Sequence, residues 1–222
     1  LFPAAAADWL TRQGGHIHLG QRITQVRWQD LYWVLDGQAF DRVIWASSSS
    51  NAALALVKCA QSAPESIATP LQAWSTTASS LRFEAIATVY AWAPQARLPH
   101  PMLALRNTAV APAQFVFDRG QLGGPAGLLA FVVSASDGSR EALQTAVLAQ
   151  AATELAALGL SGLQAVQTVV EKNATFACTP ALVRPPQAIA PGLVAAGDYV
   201  QGPYPATLEG AVRSGWAAGN LP

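Results

Sequence analysis

Charge is scarce in this sequence. Only 12% of the 222 residues are charged, and 13 basic and 13 acidic side chains give a formal net charge of zero. Nucleic-acid binding needs a clustered basic surface, so this composition argues against a nucleic-acid partner. Since 51% of the residues are hydrophobic, the low charge leaves room for an apolar ligand cavity, or for a surface shared with a membrane or with further protein.

Long apolar runs are missing as well. A membrane-spanning helix needs about 20 consecutive apolar residues, whereas the stretch from Leu103 to Phe117 is interrupted by Arg106, Asn107, Pro112 and Gln114. We therefore expect no spanning segment, although peripheral membrane attachment stays possible. The first residues show no basic segment followed by an apolar core, so no signal peptide is predicted.

Cysteine and other metal ligands are few. The only cysteines, Cys59 and Cys178, have no close partner in sequence, which favours free thiols in a cytosolic protein over a disulfide. His16 and His18 alternate along a predicted strand, but no cysteine or carboxylate cluster supplies the further ligands that a metal needs. We predict no metal site.

A glycine-rich dinucleotide loop is also absent. The segment 120–127 contains several glycines, but a dinucleotide loop must open a helix, and here Pro125 interrupts it and a strand follows. We predict a flexible hairpin loop. The chain opens with Leu1-Phe2-Pro3 rather than methionine, so we expect it to be the C-terminal part of a longer protein.

The pattern of apolar residues predicts a mixed α/β chain. Asp36-Gly37 is a strong hairpin signal because both central turn residues must accept positive φ, and the polar segment 62–69 is a reasonable domain boundary. We predict helices at 3–13, 51–59, 140–158 and 207–218, and strands at 16–28, 31–35, 41–46, 86–92, 114–118, 128–134, 166–171 and 193–196.

The last third of the chain contains the most informative segment. A buried strand at 193–196 ends in Gly197-Asp198. Glycine allows close backbone approach to a ligand, and a carboxylate at the carboxyl end of a strand stands where open α/β sheets bind ligands. The helix that follows presents unpaired N–H groups that stabilise anions. Taken alone, this strand end is also typical of a simple turn.

Two stretches of this region resemble a known family. Ala196-Gly197-Asp198, followed by Glu-Gly-Ala-Val-Arg-Ser-Gly at 209–215, resembles the C-terminal FAD signature of the flavin amine oxidase and phytoene desaturase superfamily. Glu-Lys-Asn-Ala-Thr-Phe at 171–176 and Tyr-Pro-Ala-Thr-Leu-Glu-Gly at 204–210 resemble a narrower group, the bacterial squalene-associated FAD-dependent desaturases, now understood as hydroxysqualene dehydroxylases.

The resemblance implies a set of FAD contacts. Asp198 would bind the flavin ribityl chain, with Gly197 against the pyrophosphate and Tyr199 beside them. Ala206, Thr207 and Leu208 would offer backbone at the flavin ring, and Ile23 would contribute backbone on the adenine side. The family's Gly-x-Gly-x-x-Gly and its ribose-binding acid occur nowhere in these residues, so we expect the chain alone to bind FAD weakly or not at all, and to be inactive.

The resemblance also implies a domain layout and a reaction. Residues 1–61 and 190–222 would form parts of a discontinuous FAD-binding domain, and 62–189 a substrate domain with an antiparallel sheet and covering helices. The reaction would be reduction of hydroxysqualene to squalene. Candidate substrate-binding residues are Trp74, Tyr90, Trp92, Phe115 and Phe117, each with core packing as its alternative.

Several alternatives remain open at this stage. Glu84 and Asp118 are possible acids or plain surface carboxylates. A carotenoid or phytoene-type desaturase, or a flavin amine oxidase, would share the flavin signature, and a non-catalytic isoprenoid-binding module belongs to another class. Because a triterpene dissolves in membrane, we expect cytoplasmic peripheral association. We also expect self-association, because an incomplete domain exposes a sheet edge and apolar surface.

Overall fold

The computed structural model describes residues 2–220, and within it the chain divides into two compact units. The first unit combines the residues up to Ser79 with those from Val183 onward, and the second is Ser80–Leu182. The sequence placed these boundaries at 61/62 and 189/190 instead. The first boundary differs because a second helix, at Glu65–Ser79, packs against the helix at Ser49–Ala60 and so extends the first unit.

The elements follow one another in a mixed order. The helices are α1 (Phe2–Arg12), α2 (Ser49–Ala60), α3 (Glu65–Ser79), α4 (Arg140–Glu154) and α5 (Leu208–Asn220). The strands are β1 (Val26–Gln29), β2 (Tyr32–Leu35), β3 (Gln38–Phe40), β4 (Val43–Trp45), β5 (Phe83–Trp92), β6 (Met102–Ala104), β7 (Phe115–Asp118), β8 (Leu128–Ser134), β9 (Gln164–Phe176), β10 (Ala188–Ala190) and β11 (Leu193–Ala195).

The first unit contains two small sheets. One is the antiparallel meander β1-β2-β3. The predicted hairpin at Asp36-Gly37 joins β2 to β3 and is confirmed, since both residues have positive φ, at 46° and 92°. The predicted strand at 16–28 is confirmed only from Val26 onward. The reason is local: the N–H groups of Thr24 and Gln25 donate to the Asp36 carboxylate rather than to a neighbouring strand.

The other sheet of the first unit has the strand order β10-β11-β4. β11 runs parallel to β4 and antiparallel to β10. α3 begins inside the polar segment 62–69, which the sequence analysis interpreted as a domain boundary, and it buries Ile67, Leu71 and Trp74. The sequence does not indicate this helix clearly, because its serines, threonines and internal Pro70 have low helix propensity.

The second unit is built on one five-stranded antiparallel sheet. Its strand order is β6-β7-β8-β5-β9, and α4 contacts β9 and β5. The core of this unit includes Val89 on β5, Phe131 on β8 and Val147 on α4, all with no exposed surface. Together the two units confirm the predicted fold class, a mixed α/β chain that contains an antiparallel sheet with a covering helix.

No helix within residues 2–220 combines the length and the apolar character that a bilayer crossing requires.

Candidate functional site

The segment after β11 carries most of the residues that the sequence singled out. β11 is buried throughout and pairs in parallel with β4, with Leu193 opposite Val43. The Ala196 N–H extends this pairing by donating to the Trp45 carbonyl at 2.9 Å. Residues 196–207, here named the Asp198 loop, then leave the carboxyl end of the strand, which is where open α/β sheets place their ligands.

The main chain of Gly197 is hydrogen-bonded to a side chain of α5. Its N–H donates to Ser214 Oγ at 2.8 Å, and its carbonyl oxygen lies 2.9 Å from the same hydroxyl. A Cβ on this glycine would lie 2.5 Å from the Tyr199 ring, so no side chain fits. The sequence interpretation was close approach of a ligand; the structure supplies a packing reason for the same glycine.

Tyr199 and Trp74 lie against each other in the first unit. Their rings meet edge to face with centroids 6.3 Å apart, and their exposed fractions are 4% and 3%. Trp74 Nε1 donates to the Pro186 carbonyl at 2.8 Å. Burial, together with the charge of Asp198, raises the pKa of Tyr199 to about 12. Trp74 is thus a packed side chain that supports the loop, and it belongs to a different unit from the other aromatic candidates.

Asp198 differs from its neighbours in the loop. Asp198 is half-buried, and its main-chain carbonyl accepts hydrogen bonds from Arg184 and from the Ala206 N–H. Its carboxylate, in contrast, has no hydrogen-bond partner and no ion-pair partner within residues 2–220. A fixed backbone that carries a free carboxylate can accept hydrogen bonds from the hydroxyls of a ligand.

The end of the loop forms the start of α5. Thr207 caps this helix: its Oγ1 accepts from the Gly210 N–H at 3.0 Å and donates to the Tyr204 carbonyl at 2.7 Å. Gly210 is required here because a Cβ would lie 2.2 Å from the Tyr204 carbonyl oxygen. The main-chain N–H groups of Leu208 and Glu209 have no acceptor in the described part of the chain, as expected for a first helical turn.

Ile23 lies in a separate cavity of the first unit. The cavity has a volume of about 560 Å³ and is lined by residues of β4, of α2 and of the segment before β1. The Ile23 residue is 49% exposed. The structure does not bring Ile23 into the Asp198 loop, although both belong to the same unit.

Four of the five aromatic candidates share one face of the sheet in the second unit. Tyr90, Trp92, Phe115 and Phe117 occupy alternate positions on β5 and β7. The register places Met102, Phe117, Ala130 and Tyr90 in one row across four strands. The intervening residues of β5, such as Val89, are buried in the core together with α4. We call this side of the sheet the aromatic face.

The aromatic face is open, and a hydrogen bond fixes one of its rings. Trp92 and Phe115 are 41% and 39% exposed, and Tyr90 and Phe117 are half-buried. Trp92 Nε1 donates to the Ala126 carbonyl at 3.0 Å, which fixes the indole against the loop at 120–127. This loop connects β7 to β8 and does not open a helix, so the hairpin prediction is confirmed.

Asp118, one of the two possible acids, belongs to the architecture of that loop. It is 2% exposed, and its carboxylate accepts from the Leu98 N–H at 3.0 Å and from the N–H and side-chain amide of Gln121. Burial alone would raise the pKa of Asp118, but these hydrogen bonds outweigh it and lower the pKa. Glu84 lies exposed on β5. The contacts of Asp118 hold its carboxylate as a hydrogen-bond acceptor.

Metal ligands do not gather anywhere in the described residues. No group of three or more His, Cys, Asp or Glu side chains that could hold a metal occurs between residues 2 and 220. Cys59 and Cys178 are free thiols, and burial raises the pKa of Cys59.

The sequence analysis missed two residues that hold the Asp198 loop directly and a third that holds one of these two. They are Ser214 on α5, and Arg184 and Gln187 before β10; Gln187 Nε2 donates to the Ser214 carbonyl at 2.7 Å. Ser214 does fall within the FAD-like stretch at 209–215, which was the only signal available for it. No nearby sequence pattern indicates a role for Arg184 or Gln187.

The donors and acceptors of this site fit FAD. The free carboxylate of Asp198 suits the hydroxyls of a ribityl chain, and the unpaired N–H groups at the start of α5 suit a carbonyl or an anion. These groups lie at opposite ends of the loop in sequence, and the hydrogen bond from the Ala206 N–H to the Asp198 carbonyl, at 3.4 Å, brings the two ends together.

Comparison with known proteins adds independent findings. The sequence matches the family model described as flavin containing amine oxidoreductase over residues 1–220. No curated protein matches it.

Two solved structures share the fold. An oxidoreductase from Methanosarcina mazei superposes with a TM-score of 0.68 at 16% identity, over 97% of this chain and 52% of that chain. Reduced UDP-galactopyranose mutase superposes with a TM-score of 0.56 at 11% identity, over 88% of this chain and 44% of that chain. The chain therefore spans about half the length of these structures.

The family match covers nearly the whole sequence, and it confirms at the level of the family the cofactor that the sequence predicted, FAD. The narrower likeness to squalene-associated enzymes has no counterpart in these comparisons. On the match across residues 1–220, the chain belongs to the flavin-containing amine oxidoreductase family.

Proposed function

We propose that the full-length protein is an FAD-dependent oxidoreductase that acts on a linear triterpene and reduces hydroxysqualene to squalene. The observation that carries this proposal is the aromatic face, where four half-exposed rings lie on one side of a single sheet. Such a surface suits a long apolar substrate. The sequence likeness at 171–176 and 204–210 supports the same substrate.

The proposed reaction breaks the allylic C–O bond and forms a C–H bond. Water leaves after the hydroxyl takes up a proton, and reduced flavin supplies the hydride. As the C–O bond breaks, the allylic carbon gains positive charge, which the faces of aromatic rings attract. Tyr90, Trp92, Phe115 and Phe117 would stabilise that charge and exclude water. We assign no general acid.

The Asp198 loop would hold the cofactor. In this proposal Asp198 accepts hydrogen bonds from the ribityl hydroxyls, and the backbone of Ala206, Thr207 and Leu208 lies at the flavin ring. Gly197 and Tyr199 would flank the same stretch, and Ile23 would lie on the adenine side. The first unit would thus be the flavin-binding part of the protein, and the second unit the substrate-binding part.

The experiment is anaerobic incubation of the photoreduced full-length protein with hydroxysqualene, followed by lipid extraction and mass spectrometry. We expect squalene at the expense of reduced flavin. Phe115→Leu should slow its formation, whereas Tyr32→Leu, which removes an exposed ring from the meander of the first unit, should not.

Other outcomes would redirect the assignment. A flavin-loaded protein that forms no squalene would end the substrate proposal, and phytoene-type desaturation and amine oxidation would be assayed next. A full-length protein without a flavin absorption band would instead favour a non-catalytic isoprenoid-binding module.

We further propose that the protein works at the cytoplasmic face of a membrane, because a triterpene substrate dissolves in the bilayer. Flotation of the full-length protein with squalene-containing vesicles should carry it to the lipid fraction. Recovery of all the protein in the lipid-free fraction would contradict this location.

A further inference from the structure

Arg184 precedes β10 and directs its guanidinium group at the Asp198 loop. Its Nη1 donates to the carbonyl oxygens of Val200, at 2.8 Å, and of Asp198, at 3.4 Å. Its Nη2 donates to the carbonyl of Gly202. The adjacent Pro185 accepts from the Gln201 N–H at 2.9 Å. One side chain therefore satisfies three alternate carbonyls of the loop.

The chemistry of these contacts calls for arginine. A guanidinium group presents five N–H donors in a rigid planar fork, whereas the ammonium of lysine is compact and flexible. No carboxylate competes for this fork: the one ion pair within residues 2–220 joins Arg213 to Glu209. The donors of Arg184 that have described partners all serve the loop backbone.

The loop is thus held from two sides. Ser214 on α5 binds the main chain of Gly197, and Arg184 binds the main chain from Asp198 to Gly202. Asp198 stands where the two sets of contacts meet. Arg184 contacts its main-chain carbonyl and Ser214 holds the preceding residue, Gly197, while the Asp198 carboxylate has no partner among the described residues.

We propose that Arg184 is the positioning residue of the FAD site, acting through the loop backbone to set the direction of the Asp198 carboxylate. This inference rests on the proposed role of the Asp198 loop in binding FAD. Without the guanidinium group, the three loop carbonyls lose their donors, and the loop samples conformations in which Asp198 no longer points to the ribityl chain.

The test uses the full-length protein with Arg184→Lys and Arg184→Ala. The readouts are FAD affinity by titration of the apoprotein, the flavin absorption spectrum at saturating FAD, and the melting temperature of the apoprotein. We expect Arg184→Lys to weaken FAD binding by about tenfold, the scale of one lost hydrogen bond to a charged group, and to alter the spectrum of the bound flavin. Methylguanidinium should restore part of the affinity of Arg184→Ala.

The matched control is Arg12→Ala, which removes an exposed arginine at the end of α1 in the same unit and should leave affinity and spectrum unchanged. Parental affinity and spectrum in Arg184→Lys would overturn the proposal. So would a lower melting temperature of the apoprotein with an unchanged flavin spectrum and no rescue, because a purely structural role gives that result. If Arg184→Ala does not fold, Arg184→Lys decides.

Asp198→Ala separates this inference from the proposed function. Loss of FAD in Asp198→Ala together with parental binding in the Arg184 variants would overturn the role of Arg184 alone. Parental binding in Asp198→Ala would show that Asp198 is not needed for FAD binding, and the inference on Arg184 would fail with it, whereas the proposed reaction is decided separately by squalene formation.

Discussion

The two units differ in how their sheets obtain partners. In the second unit, β7 and β8 are neighbours along the chain and in the sheet, and one buried core lies under α4. In the first unit, β4 pairs with β11 over only three residues that lie about 150 positions apart in the chain. Both units bury apolar side chains, such as Leu71 in the first and Phe131 in the second. The first unit in addition holds its candidate site through long-range hydrogen bonds. Substitutions in each unit should separate the contribution of burial from that of long-range contacts.

The largest effect is expected in the core of the second unit. Phe131 is fully buried and lies opposite Val89 and Val116 in the sheet. Phe131→Ala should lower the free energy of unfolding of this unit by about 3–5 kcal/mol, through lost burial and a cavity. Urea unfolding followed by circular dichroism measures this.

Phe115→Ala is the matched control for that change. Phe115 belongs to the same sheet but stands on the aromatic face and is 39% exposed, so its loss should cost about 1 kcal/mol. Equal costs at the two positions would contradict the assignment of one buried and one open face.

The second effect concerns Asp118 and its dependence on pH. Because the folded state lowers its pKa, Asp118 stabilises the second unit above its unfolded pKa of about 3.9, and this contribution is lost as pH falls through the folded pKa. Asp118→Asn places an amide donor against the N–H groups of Leu98 and Gln121. We expect a loss of about 1–3 kcal/mol at neutral pH.

The pH series supplies its own control. Asp118→Asn should lack this part of the acid dependence, so the difference between parent and variant should shrink below about pH 4. A difference that stays constant from neutral pH to pH 3 would mean that Asp118 is not held as a hydrogen-bonded carboxylate.

The elements that the sequence predicted well are those whose signal is local. α4 shows a helical apolar period, and the Asp36-Gly37 hairpin needs only two residues with positive φ. α3 was not predicted because its serines, threonines and Pro70 weaken the helical pattern. It forms nevertheless because packing against α2 overrides the low helix propensity of these residues.

The candidate site follows the same rule. The position of Asp198 at a strand end could be predicted from the residues around it. The sequence named five aromatic candidates, but the shared face of four of them follows from the strand register. Nothing local indicates that Trp74 instead packs against Tyr199. The hydrogen bonds from Arg184 join segments more than ten residues apart and depend on how the chain folds back. Such contacts have no signature in the sequence.

Sheet edges give a smaller expected effect. β4 has no neighbour on one side within the described sheets, and Ile44 on it is 44% exposed, so we expect the 222-residue chain to self-associate through this edge. Ile44→Lys should weaken association by about tenfold, since charge on an edge strand opposes pairing. Light scattering coupled to gel filtration measures this.

The matched control for Ile44→Lys lies at a sheet edge of the second unit. β9 ends the five-stranded sheet, and Val166 on it is 61% exposed. Val166→Lys should leave association unchanged, because β9 already carries Glu171 and Lys172. A monodisperse monomer of the parent chain would contradict self-association, and a stronger effect from Val166→Lys would move it to the second unit.

The smallest effect is a gain of stability in the meander. Leu31 has a φ of 71° in the two-residue turn between β1 and β2, and its residue is 80% exposed. A side chain is strained in this left-handed region while glycine is not, so Leu31→Gly should stabilise the first unit by about 0.5–1 kcal/mol. Leu31→Ala removes the same exposed surface but keeps a Cβ at positive φ, and it should bring no comparable gain. Equal unfolding free energies for the glycine and alanine variants would show that the turn is not strained. The stability of the first unit would then be limited by other residues.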